Sequence, residues 1–177
     1  MTTTTLDAEM ITSAVMMACR APSLYNCQPW RWVTDAKVIE LFADHGCISD
    51  ATDTSGREVV IGCGAALDHL RVAMAARSWD TMDDRFPNPN DPDHLATVDF
   101  SAMSFVTDAH RQGAEAIRRR HTVRVPMAPP ADWDSFETLL RSTFSPEDAI
   151  LTVLPQEARP KLAEASRLTE ALRRYDC

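Results

Sequence analysis

Ala21-Pro22-Ser23-Leu24-Tyr25-Asn26-Cys27-Gln28-Pro29-Trp30-Arg31-Trp32-Val33 is the segment that organises the chain: an apolar, helix-like stretch breaks into a short polar turn and leaves as a strand. Pro22 is expected to end the preceding helix, and Pro29 to force Gln28 into an extended backbone. Ser23, Asn26 and Gln28 then sit on a stiffened loop. A hydroxyl and two carboxamides can each donate and accept, which suits a flat heterocycle with alternating donors and acceptors along its edge. The plainer alternative is a proline-punctuated helix exit in which Asn26 and Gln28 only cap backbone groups.

The 177 residues, 45% hydrophobic and 25% charged, have the usage of an ordinary globular domain with a core. A net charge of -8 and a pI near 5.0 argue against non-specific binding to nucleic acid or to an anionic membrane. Lysine occurs only at Lys37 and Lys161, so the positive charge is nearly all arginine, the better partner for phosphate. Cys19, Cys27, Cys47, Cys63 and Cys177 are odd in number and lack C-x-x-C spacing, which predicts free thiols in a reducing cytoplasm. Cys27 is read as a small packing residue. No signal peptide is expected at Met1 to Thr5. The apolar run Val59 to Ala76 is interrupted by Asp68, His69 and Arg71, which argues against a membrane span. His45, His94 and His110 stand without ligand spacing, and no metal is assigned.

Leu6, Met10, Ile11, Ala14, Val15 and Ala18 recur at helical spacing, and Trp30 to Thr34 and Val38 to Ala43 read as a hairpin around Asp35-Ala36-Lys37 with its aromatics in the core. Ser55 and Glu58 form a candidate capping box for a helix reaching about Arg77. That helix is apolar on nearly every side and is expected to be buried all round, with Asp68, His69 and Arg71 as polar points at its rim. Trp79 to Phe86 and Leu95 to Phe100 are predicted strands, followed by a helix from Val106 to Arg120. Asp132 to Phe144 is expected as a helix with Trp133, Phe136, Leu139 and Leu140 inward. A strand from Ala149 to Leu154 and a helix from Glu157 to Arg174 complete the reading.

The pattern Ala-Pro-Ser-x-x-Asn-x-Gln-Pro-Trp resembles the loop by which nitroreductase-fold flavoproteins hold FMN. Arg120-x-Thr122-x-Arg124 resembles the Arg-x-Ser-x-Arg run with which those proteins open, where two guanidiniums and a hydroxyl grip the flavin phosphate. Here the first unit has the loop and only Met1 to Thr5 ahead of its first helix. The second has the grip, then a helix, then Ser145-Pro146-Glu147-Asp148 and no Asn or Gln loop. In the parent fold two identical subunits share each flavin, so two units that each lack what the other keeps leave one FMN site. That arrangement resembles the Acg-like subfamily, single chains that mimic a nitroreductase dimer and run to nearly twice this length.

The resemblance implies an α+β, nitroreductase-like fold: an antiparallel-rich sheet with flanking helices and a buried central helix. Residues 1–105 would form the first unit of an intramolecular pseudo-dimer, and 106–177 the start of a second, incomplete one. It implies FMN as cofactor, with Arg120 and Arg124 neutralising phosphate and Thr122 donating to it. Ser23, Asn26 and Gln28 would meet the ribityl chain and ring edge, and Pro22 and Leu24 would form an apolar wall. The flavin N5 would carry the chemistry, with no catalytic side chain. No Rossmann glycine fingerprint is present, so NADH or NADPH would be a transient substrate, and a nitro or quinone-type compound the small acceptor. A homodimer through the 56–77 helix is the implied partner. An FMN-sequestering protein without turnover, or a truncated remnant that no longer binds flavin, are the alternative readings.

Overall fold

A computed structural model describes residues 6–35, 38–48, 52–123, 125, 127–147 and 149–173. The chain forms two compact bodies, Met1–Thr122 and Val123–Cys177.

In the first body, α1 (Ala8–Ala18) is capped by Asp7, whose carboxylate accepts from the Met10 amide at 2.7 Å. Its buried residues Ile11, Ala14, Met17 and Ala18 fall on one helical face. A four-stranded antiparallel sheet follows, ordered β1-β2-β4-β3, from β1 (Trp30–Thr34), β2 (Ile39–Ala43), β3 (Trp79–Arg85) and β4 (His94–Ala102). The hairpin register pairs Trp30 with Ala43 and Thr34 with Ile39, while Ala36 and Lys37 of its turn lie outside the described residues. Ile39, Leu41, Ala96 and Val98 are buried. Trp30 joins this core, and Trp32 packs against it half-buried. Phe42 instead lies half-buried, stacked on His94 with ring centroids 4.4 Å apart and covered by the Arg31 guanidinium at 4.3 Å.

The central helix α2 (Arg57–Ala75) packs against α1, the sheet and α3 (Asp108–Arg119). It starts one residue later than the expected capping box requires. Gly56 is its N-cap, in the left-handed region at φ 67°, and Asp53 Oδ2 accepts from the Val59 amide at 3.0 Å, so Ser55 lies outside the helix. Nor is α2 buried all round: Val59, Cys63, Ala66, Leu70, Ala73 and Met74 face the core, while Val60 and Ile61 are 40% and 58% exposed. Beside Val60 a cleft of about 280 Å³ has an apolar wall of Leu41, Val60, Leu67, Phe86 and Leu95 and a charged rim of Asp68, Arg71 and Arg85.

The second body contains α4 (Trp133–Arg141) and α5 (Arg159–Arg173). Asp132 caps α4 as expected, through the Ser135 amide at 3.2 Å. The inward face expected for α4 is not covered: Trp133 and Phe136 are each 40% exposed and Leu139 61%, and the helix buries no residue. Residues 149–154 form no strand, because no neighbouring strand offers them a ladder among the described residues. Helix α5 begins at Arg159, after a 3-10 turn over Gln156–Ala158, and Arg174 lies outside the described residues. No helix among the described residues is long and apolar enough to cross a membrane.

Candidate functional site

Helix α1 stops at Ala18, three residues short of Ala21, and the chain turns through a 3-10 segment at Leu24–Asn26 before entering β1. Tyr25, Asn26 and Gln28 all take positive φ, at 51°, 59° and 54°. Left-handed backbone at non-glycine residues costs roughly 1–3 kcal/mol each and persists only where surrounding contacts fix it. Gln28 is therefore not extended, as the following proline suggested. Its amide donates to Ser23 Oγ at 2.9 Å and its carbonyl accepts from the Trp30 amide at 2.8 Å, which closes the turn over Pro29.

The loop is pinned from below. The Pro29 carbonyl accepts from the Asp44 amide at 3.0 Å and from Cys63 Sγ at 2.9 Å. A Cβ placed on Gly62 would come within 3.3 Å of the Pro29 ring, so bare α2 backbone is what lets the loop lie down there. Cys27 is disulfide-bonded to Cys47, Cα to Cα 5.7 Å, which corrects the expectation of free thiols for these two; Cys19 and Cys63 are free, and Cys177 lies outside the described residues. Pro22, Asn26 and Gln28 are exposed above this base, with Ser23 and Leu24 half-buried. Burial and the Asp44 carboxylate push the Cys63 thiol up to about 12, so it stays protonated and acts as a donor.

The arginine run is divided by the structure. Arg118 and Arg119 lie on the α3 surface, both paired with Glu115, at 3.5 and 3.0 Å. Arg120, just past the helix end, turns inward. Its Nη2 donates to the Arg20 carbonyl at 2.6 Å, and its Nε is buried with no partner. Arg20 answers in kind: its Nε donates to the Ile117 carbonyl at 3.1 Å and its Nη2 to the Arg118 and Arg120 carbonyls at 2.8 and 3.3 Å. Arg20 precedes Pro22 by two residues, so the structure brings Arg120 to the root of the loop. Thr122 is exposed beyond it, and Arg124 lies outside the described residues.

Two further groups belong to this neighbourhood. Burial holds the His69 imidazole below its usual pKa, with Arg120 and Arg20 acting in the same direction against Asp68, and its Nδ1 is buried without a partner. Arg77 donates to the Ala73 carbonyl at 2.7 Å and to Ser13 Oγ at 2.8 Å; burial and then Arg118 lower its pKa. Arg20 beyond α1, Arg77 beyond α2, and Arg118 and Arg120 at the end of α3 thus gather in a chain whose net charge is -8. Arg20 and His69 carried no sequence signal for a site role. A lone arginine at a helix end reads as dipole compensation, and a lone histidine on a helix as a rim residue.

No family model matches the chain. Over 173 residues, 98% of its length, it is 52% identical to acg of Mycobacterium tuberculosis, a protein whose name assigns it provisionally to the NAD(P)H nitroreductases; the match takes in 52% of that protein. An uncharacterized protein of the same organism is 46% identical over 171 residues, 94% of this chain and 50% of its own. Among solved structures, a provisionally named nitroreductase from Exiguobacterium sibiricum in complex with FMN gives a TM-score of 0.47 at 15% identity, over 71% of this chain and 86% of that one. A nitroreductase family protein from Streptococcus pneumoniae gives 0.46 at 13%, over 71% and 88%. The chain spans about half the length of the curated relatives it matches. With 52% identity extending across 98% of its residues, the chain is similar throughout to about one half of an Acg-like protein.

Proposed function

We propose that this chain contributes to an FMN-dependent oxidoreductase that passes hydride from NADH or NADPH to a nitro or quinone-type acceptor. The observation that supports the reading is the bond from Arg120, the first residue of the Arg-x-Thr-x-Arg motif, to the Arg20 carbonyl just ahead of the Ala-Pro-Ser loop. The Ala-Pro-Ser loop, with positive φ at Tyr25, Asn26 and Gln28 and with Asn26 and Gln28 exposed, is joined at its root to Arg120.

The donor set fits the cofactor. A cationic cluster with an unpartnered Arg120 Nε suits a phosphate, and a stiff loop carrying a hydroxyl and two carboxamides suits a ring edge and polyol. In this proposal Ser23, Asn26 and Gln28 orient the flavin, Pro22 and Leu24 wall its apolar side, and Arg120 and Thr122 hold the phosphate. Bound FMN would supply the hydride-accepting and hydride-donating centre, and the chain's residues bind, orient and shield it.

The exposed Val60 and Ile61, beside a Gly64 where an added Cβ meets nothing within 4 Å, leave α2 an approachable apolar face. A second copy packed there, as a homodimer, would cover it. The cytoplasm is the proposed compartment. Anaerobic mixing of the FMN-loaded chain with NADPH tests the activity. Bleaching of the flavin absorbance is expected; retained yellow colour would instead make the protein a flavin store, and a folded chain that takes up no FMN would refute both.

A further inference from the structure

We infer that Arg20 is a positioning residue of the flavin site, the group that sets the arginine run against the loop. The inference rests on the proposed FMN reading. Arg20 leaves α1 at the point where the chain heads for Pro22, and its planar guanidinium spans three carbonyls at the end of α3, those of Ile117, Arg118 and Arg120. The last carbonyls of a helix have no partner within it, so a forked cation is suited to fixing where the helix stops. Arg120 returns a bond to the Arg20 carbonyl at 2.6 Å, across a separation of 100 residues. Each arginine thus ties the other's backbone, and the stretch from Arg120 to Thr122, which has no regular secondary structure, leaves from a fixed point.

The loop does not depend on this clasp in the same way. Ser23 holds the Gln28 amide, while Asp44 and Cys63 hold the Pro29 carbonyl, all without Arg20. Removing the Arg20 fork leaves the phosphate end tied only by the bond from Arg120 to the Arg20 carbonyl, so that end loosens while the ring end stays seated. Lysine keeps the charge but is a single point donor, so it replaces the fork only in part.

The test compares FMN with riboflavin, which lacks the phosphate, on the 177-residue chain and its Arg20→Met and Arg20→Lys variants. For Arg20→Met the FMN dissociation constant is expected to rise about tenfold or more, the scale of one lost charge-assisted contact, with that of riboflavin changed less than about twofold. Arg20→Lys is expected in between. Hydrogen exchange without flavin gives a second reading: faster exchange over residues 117–122 of Arg20→Met with the 23–28 loop unchanged. An unaltered FMN affinity, or equal losses for both flavins, would overturn the inference while the FMN reading stands. A wild-type chain that binds neither flavin would sink the reading itself, and the inference with it.

Discussion

Replacing Gly62 by alanine probes whether the loop truly rests on α2. In an open helix interior the change stabilises by about 0.8–1 kcal/mol, because alanine loses less backbone freedom on folding. At Gly62 the new Cβ would meet Pro29 Cγ at 3.3 Å, Pro29 Cδ at 3.6 Å and Ser23 Cβ at 3.6 Å. Pro29 has little room to give: its ring is buried, and its carbonyl is held by Asp44 and Cys63. Crowding of a fixed neighbour costs about 1–3 kcal/mol, so Gly62→Ala should be net destabilising by about 0–2 kcal/mol. Gly64, two residues on, meets nothing within 4 Å, and Gly64→Ala should show the full gain of about 1 kcal/mol. Urea denaturation followed by far-UV circular dichroism measures both. The expected spread between the variants is about 1–3 kcal/mol, or several degrees in melting temperature for a chain of this size. The same displacement of the loop should weaken FMN binding in Gly62→Ala. Equal stabilisation by the two alanines would refute the contact between loop and helix.

Asp53→Ala should cost about 1 kcal/mol by freeing the Val59 amide at the start of α2, whereas Ser55→Ala should stay within about 0.5 kcal/mol; denaturation midpoints of the pair distinguish the observed cap from the one the sequence suggested. The Cys63 thiol titrates near 12 in the folded chain and close to 9 when unfolded, so the fold binds the extra proton between those values. Its contribution is whole below about pH 9 and is lost as the pH rises toward 12; Cys63→Ala should flatten that decline in stability measured from pH 8 to 11.

The parts of this molecule legible in its sequence are those fixed by neighbours in the chain. Helical spacing found α1 and α3, two strand-like runs around Asp35-Ala36-Lys37 found the hairpin, and Asp132 announced the start of α4. What was illegible depends on distant partners. Gln28 is drawn out of the extended region by Ser23 and by a proline whose carbonyl is held from β2's end and from α2. Arg120 turns inward because the Arg20 carbonyl awaits it, and Cys27 meets Cys47 only after the hairpin has folded back. The start of α2 lies one residue later than the Ser55 pattern suggests because Asp53, not Ser55, holds the first-turn amide of Val59, with Gly56 taking the left-handed turn into the helix. For α4 and residues 149–154 an apolar pattern marked which face seeks cover but held no information on what covers it.

Equilibrium titration of this chain with FMN, read by quenching of flavin fluorescence and by co-elution on size exclusion, tests the central claim most directly. The account predicts saturable uptake, with flavin eluting alongside the protein. A chain that is folded by circular dichroism yet elutes colourless, with all FMN in the free fraction, would contradict it.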